Sequence, residues 1–274
     1  MTAFVENFTG MNPLFQAAFT LYLASFLLFL PAIPGKRPLF LKLAILAMML
    51  AFCANTAVIA DRWIEAGRAP LKTLYETLLF YPWCVTAVFF VLLGLYRVSV
   101  FGLFASAINL AGLAYACLKP DIEIINLPPA LQSAWFVPHV VTYFISYAAL
   151  FACFSLAILY LVFPKWRQEG ENKGFEHFFT GAMNFGFISL TLGLVMGAAW
   201  GKTAWGNYWD WDPKENWALI TWLIYVGALH LRFVAGWKGK RMAIICILGF
   251  LAVVFTYLGM NLLPAAKGSL HVYQ

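Results

Sequence analysis

Long apolar runs separated by short polar stretches organise this chain. A transmembrane helix needs about 20 mainly apolar residues. Eight segments answer to that pattern, at 13–33, 39–60, 77–96, 98–118, 138–163, 180–200, 217–235 and 241–262. Only Arg97 and its neighbours separate the third from the fourth, so that turn must be tight. The first run is too long for a signal-peptide core and no A-x-A-like cleavage site follows it, so it reads as the first span. No internal repeat, low-complexity tract or soluble domain interrupts the series. The pattern predicts an all-α, polytopic membrane helical bundle, with 1–274 forming a single integral-membrane domain.

Composition supports the same class. Hydrophobic residues make up 63% of the chain and charged residues only 11%, whereas a soluble domain is about 25% charged. A net charge of +6 would suggest nucleic acid in a soluble protein; here it reports orientation instead. Eleven Lys and Arg residues fall after the odd-numbered spans, including Lys36, Arg37, Arg97, Lys165, Arg232 and Lys238, against seven on the other side. The richer side is cytoplasmic by the positive-inside rule, which turns both termini outward. Cys53, Cys84, Cys117, Cys153 and Cys246 lie in or beside apolar runs without C-x-x-C or zinc spacing, and read as buried small hydrophobes.

The outer face then carries the longer connections, at 61–76, 119–137 and 201–216, together with the tail. One of them is unusual: 205–217 reads WGNYWDWDPKENW, with four Trp among thirteen residues. An aromatic belt at the headgroup level accounts for Trp200 and Trp217, which flank spans. Helix initiation accounts for DPKE, with Asp212 as N-cap, Pro213 as the first helical residue and Glu215 as the capping-box partner. Neither explains Trp205, Trp209, Trp211 and Tyr208 gathered within one polar loop. Those rings suit a planar ligand that is apolar on its faces and polar at its edge. Haem has that shape, and Lys202 and Lys214 are placed to meet its propionates.

Four histidines test the idea, because imidazole is a common ligand of haem iron. His139 opens the fifth span on the outer side, where the positive end of the helix dipole favours the neutral, ligating ring. His271 lies in the tail, in GSLHVYQ, on the same side. His230 falls thirteen residues beyond Trp217, about 20 Å into the membrane at 1.5 Å per residue, where an ionisable side chain is expected to be functional. His177 reads as solvated and without a role.

Residues 205–232 closely resemble the WWD signature of the haem-handling superfamily of cytochrome c biogenesis. The WDPKE form and the eight-span length are similar to the CcsA family (ResC in some bacteria) rather than the shorter CcmC or the longer CcmF. GRAPLKTLYE (67–76), PALQSAWFVPHV (129–140) and GSLHVY (268–273) extend the likeness over most of 60–274. The resemblance implies that His139 and His271 ligate haem iron at the outer platform and that His230 is the transmembrane histidine. Trp205, Gly206, Trp209, Trp211, Asp212 and Glu215 match the WWD core. It further implies a holocytochrome c synthase of system II in the bacterial cytoplasmic membrane, its site facing the periplasm or outside. The expected cofactor is b-type haem, as substrate for thioether attachment to the CXXCH motif of apocytochrome c. The expected partners are a CcsB (ResB) membrane protein, apocytochrome c, thiol-reducing thioredoxin-like proteins and membrane lipid, with no nucleic acid. A haem exporter or chaperone without attachment chemistry would use the same ligands. A small-solute transporter would need acids inside the spans, and Glu76 sits at a span end.

Overall fold

The computed structural model describes residues 2–35, 37–119, 122–163 and 173–259. These residues form helices joined by turns, with no strand among them, in line with the all-α expectation. Six helices are long and apolar enough to cross a membrane: Pro13–Ile33, Pro38–Ala66, Leu74–Tyr96, Phe136–Val162, Glu176–Trp205 and Gly239–Tyr257. The fourth and seventh expected spans are also helical but fall short of that test. Phe101–Cys117 has only 17 residues. Pro213–Phe233 opens on Lys214, Glu215 and Asn216 and carries His230 and Arg232 in its last turn, which dilutes its apolar character. The contacts divide the chain into two units, Met1–Asn126 and Leu127–Gln274.

The first unit contains α1 (Thr2–Gly10), α2 (Pro13–Gly35), α3 (Pro38–Ala66), α4 (Leu74–Tyr96) and α5 (Phe101–Cys117). Helix α2 packs along α3 and on α5, and α4 packs on α5 and α3. Helix α3 starts on Pro38, whose missing N–H costs nothing at that position, and ends at Gly67 with φ +61°. Its buried stripe is Ala44, Ala47, Met48, Ala51, Asn55 and Val58. Small side chains at helical spacing let neighbouring backbones approach closely, the usual basis of helix association in lipid. Helix α4 starts at a complete capping box between Thr73 and Glu76.

The second unit contains a 3₁₀ turn (Pro129–Leu131), α6 (Phe136–Val162), α7 (Lys173–Trp205), α8 (Pro213–Phe233) and α9 (Gly239–Tyr257). Helix α6 lies along α7, and α9 packs against α6 and α8. Gly186, Gly193 and Gly197 form the α7 side of the first contact, against Leu150, Tyr143 and His139 of α6 in turn. Their order runs opposite to that of their α6 neighbours, so the two helices are antiparallel. Thr221 meets Thr256 at 3.0 Å, and Phe144 meets Tyr257 with ring centroids 5.4 Å apart. The start of α6, the end of α7, the start of α8 and the end of α9 therefore share one end of this unit.

Candidate functional site

His139 stands one turn inside α6, at that shared end, with its ring half-buried. Its Nδ1–H donates to the carbonyl of Gly193 at 2.8 Å. A carbonyl can only accept, so in the neutral ring the lone pair sits on Nε2. An imidazole held through one nitrogen by a backbone carbonyl is the arrangement that orients metal-ligating histidines. Aromatic rings fix the plane: Tyr143 meets it edge-on at 4.8 Å and Trp200 lies tilted at 5.5 Å. Gly197 makes room for it. A Cβ there would come within 2.6 Å of His139 Cε1 and 2.8 Å of Nδ1.

The aromatic contacts continue toward the loop. Trp200 is buried, bonds Ala130 O through Nε1 at 2.8 Å, and meets Phe136 at 5.4 Å and Trp205 at 4.9 Å. Helix α7 ends at Trp205, and the chain turns through Gly206, whose φ of +90° suits a residue without Cβ. Lys202 secures that turn, donating to Gly206 O at 2.6 Å while its ammonium lies 5.6 Å from the Tyr208 ring centroid. Beyond it the rings turn outward. Tyr208 is 62% exposed and Trp211 67% exposed, and Trp209 meets Trp211 edge-on at 5.9 Å. The Trp209 Nε1 atom is buried and makes no hydrogen bond among the described residues.

Trp211 has φ +58°, a left-handed conformation that is uncommon for a bulky residue. Its neighbours hold it there. Glu215 Oε2 accepts from the backbone N–H of Asp210 at 2.9 Å and of Asp212 at 3.2 Å, on either side of Trp211. Asn216 Nδ2 donates to Trp211 O at 2.9 Å. Asp212 Oδ1 accepts from Lys214 N at 2.8 Å, and Asp212 and Glu215 form the reciprocal capping box expected from DPKE. The cap thus starts α8 and also locks an exposed indole in a strained backbone. Burial pushes the half-buried Lys214 ammonium down to about 8, with the Asp212 carboxylate opposing the shift.

The other expected histidines fare differently. His271 lies outside the described residues. His230 occupies the last turn of α8, with its side chain exposed on the helix surface. The packed face of α8 is Thr221, Tyr225 and Ala228. A position two residues past Ala228 is turned about 200° away at 3.6 residues per turn. His230 therefore shares the outward face of Ile220 and Leu223, both exposed. His177, one residue before the buried Phe178, lies in α7.

A second polar centre, in the first unit, was not anticipated. Glu76 is completely buried. Arg68 grips both its oxygens at 3.0 Å, and Arg62 Nε stands 3.5 Å from Oε1. Lys72 N and Thr73 N donate to Oε2 at 2.8 and 3.2 Å. The same basic side chains hold the irregular segment beyond α5: Arg62 bonds Glu123 O at 3.0 Å, Arg68 Nη2 bonds Ile125 O at 2.8 Å, and Lys72 Nζ bonds Asn126 O at 2.9 Å. This explains GRAPLKTLYE as a carboxylate-centred clamp. The T-x-x-E spacing at Thr73 and Glu76 was the readable signal of a cap; nothing local indicated the arginines.

Together these features define a polytopic helical membrane protein with a histidine oriented beneath a Trp-rich loop. Comparison with known proteins gives the family: residues 71–266 match the Cytochrome C assembly protein family, and the chain belongs to it. It is 40% identical over 215 residues to the cytochrome c biogenesis protein CcsA of Chlamydomonas reinhardtii, covering 74% of this chain and 61% of that protein. The Synechocystis CcsA is 32% identical, with 94% and 96% of the two chains covered. Among solved structures, Cytochrome c Heme Lyase CcmF aligns with a TM-score of 0.62 and 18% identity, a likeness of fold. That match covers 90% of this chain and 47% of the CcmF chain, so this chain spans about half its length.

Proposed function

We propose that this chain is the haem-handling membrane subunit of a cytochrome c synthase. It acts as one integral-membrane domain in a bacterial cytoplasmic membrane, with the Trp-rich loop facing the periplasm or outside. A CcsB-type (ResB-type) partner completes the unit. Haem of the b type, as substrate, passes through the membrane by way of His230, whose outward face suits a second ligand from the partner. It comes to rest under the loop with His139 and His271 as axial ligands. The Trp211 and Tyr208 faces meet the porphyrin. The buried Trp209 N–H, which has no partner among the described residues, and the Lys214 ammonium suit the carboxylates at its edge.

The chain's contribution is positioning. Gly193 O sets the tautomer of His139, and Gly197 lets the ring stand close to α7. The apocytochrome histidine replaces one axial ligand and brings its two thiols, kept reduced by thioredoxin-like proteins, to the vinyl groups. Each thiol adds across a vinyl C=C, sulfur to one carbon and hydrogen to the other, with no net electron transfer.

The single observation that supports this most is the hydrogen bond from His139 Nδ1 to Gly193 O. The test is an absorption spectrum of the protein purified with its partner. A Soret band is expected, reduced several-fold by His139→Ala and restored by added imidazole. An unchanged spectrum in His139→Ala refutes the ligand assignment. Adding apocytochrome and haem should then yield covalent product; bound haem with no product points to an exporter or chaperone instead.

A further inference from the structure

The first unit carries a polar cluster inside its spans that the proposed haem site does not use. Tyr22 of α2, Asn55 of α3, Thr86 of α4 and Asn109 of α5 are all completely buried. Each lies near the middle of its helix or at least ten residues from the nearer end, so the cluster is deep within the apolar layer. Thr86 is the centre. Its hydroxyl donates to Pro82 O at 2.8 Å, so Tyr22 must be the donor in their 2.9 Å contact. Asn109 Nδ2 also donates to Thr86, at 2.8 Å. Asn55 Nδ2 donates to Leu79 O at 3.2 Å, and the Asn55 side chain lies beside the Tyr22 hydroxyl.

Two acceptors remain over. The side-chain oxygens of Asn55 and Asn109 are buried and have no partner among the described residues. Pro82, inside α4, also removes the N–H that would otherwise meet Leu78 O. The Tyr22 and Thr86 hydroxyl hydrogens are already committed, so neither serves these two amide oxygens. A buried carboxamide oxygen left unbonded forfeits the hydrogen bonds it made to water in the unfolded chain. Such groups in folded proteins are normally met by protein or by ordered water.

We propose that this cluster is an internal water site, in which water donates to the side-chain oxygens of Asn55 and Asn109. Water fits better than a cation. The four side chains of the cluster are all neutral, so a charge at this depth would be desolvated with no opposite charge to offset it. A neutral hydrogen donor suits two amide oxygens that no described group meets. Water here also solvates α4 where Pro82 interrupts its hydrogen bonding, the way proline is tolerated inside membrane helices.

Hydroxyl-radical footprinting by X-ray radiolysis of the full-length protein in nanodiscs, read by mass spectrometry, tests the site. Radicals formed from bound water mark residues that bulk solvent does not reach. Tyr22 should be oxidised several-fold more than the equally buried Phe29 and Phe89, and Asn55→Leu/Asn109→Leu should bring it down to their level. Equal labelling of Tyr22 and the two phenylalanines in the wild-type protein overturns the proposal, and that comparison needs no variant to fold. Thermal unfolding in sodium, potassium and choline chloride at one ionic strength should give one midpoint. A midpoint raised by sodium or potassium alone overturns water in favour of a cation.

Discussion

Replacing Glu76 by Gln keeps the shape of the clamp in the first unit and removes its charge. The wild-type carboxylate accepts two bonds from Arg68 at 3.0 Å and two backbone N–H groups at 2.8 and 3.2 Å, all in a fully buried setting. Gln offers one acceptor oxygen and one donor amide, so one side of the Arg68 fork meets N–H with N–H. Arg68 and Arg62 side chains are 10% and 12% exposed, so their charges lose compensation while still mostly out of water. Breaking a buried ion pair by removing one partner costs about 3–5 kcal/mol. Arg68 retains its bonds to Ala69 O and Ile125 O, which reduces the expected loss to about 2–4 kcal/mol. For a chain of this size that corresponds to a fall in unfolding midpoint of roughly 5–10 °C. Intrinsic fluorescence during heating of the detergent-purified protein measures it, and proteolysis within 122–126 should accelerate in parallel. The double variant Glu76→Gln/Arg68→Met should be less destabilised than Glu76→Gln alone, because it removes the stranded charge along with the carboxylate. A single-variant midpoint within about 1 °C of wild type would refute the reasoning, since a fully paired buried carboxylate cannot be lost that cheaply.

Two further outcomes follow from the second unit. Gly197→Ala places a methyl 2.6 Å from His139 Cε1 and must displace the ring, so haem absorbance in the purified complex should fall several-fold. Gly227→Ala, with nothing within 4 Å of the new atom, should leave it unchanged. Lys214 is depressed in the folded chain to about 8 from its usual 10.5. Below about 8 both folded and unfolded chains carry this proton and its burial cost is fully present; between about 8 and 10.5 the unfolded chain binds more protons, so this group's contribution to stability rises with pH. Unfolding midpoints measured across that window in wild type and Lys214→Met should show the rise only in the wild type.

Much of the architecture was local information. Apolar runs near the length of a bilayer, broken by charged turns, specify helices because backbone groups in lipid must bond within their own segment. DPKE specified the start of α8 because an N-cap and its capping-box partner act within one turn. The limits of that reading fall where partners come from other helices. That His139 would find Gly193 O and the gap at Gly197, more than fifty residues away, depends on the register of α6 against α7. The outward turn of His230 depends on which stripe of α8 packs within the unit, and depth along the helix says nothing about that direction. The arginines around Glu76 and the meeting of Tyr22, Asn55, Thr86 and Asn109 come from segments whose own composition gives no sign of one another. The chain by itself decided what each segment is and which residue types it carries. Packing decided which of them meet, because hydrogen bonds and ring contacts act over a few ångströms that only the folded helices bring about.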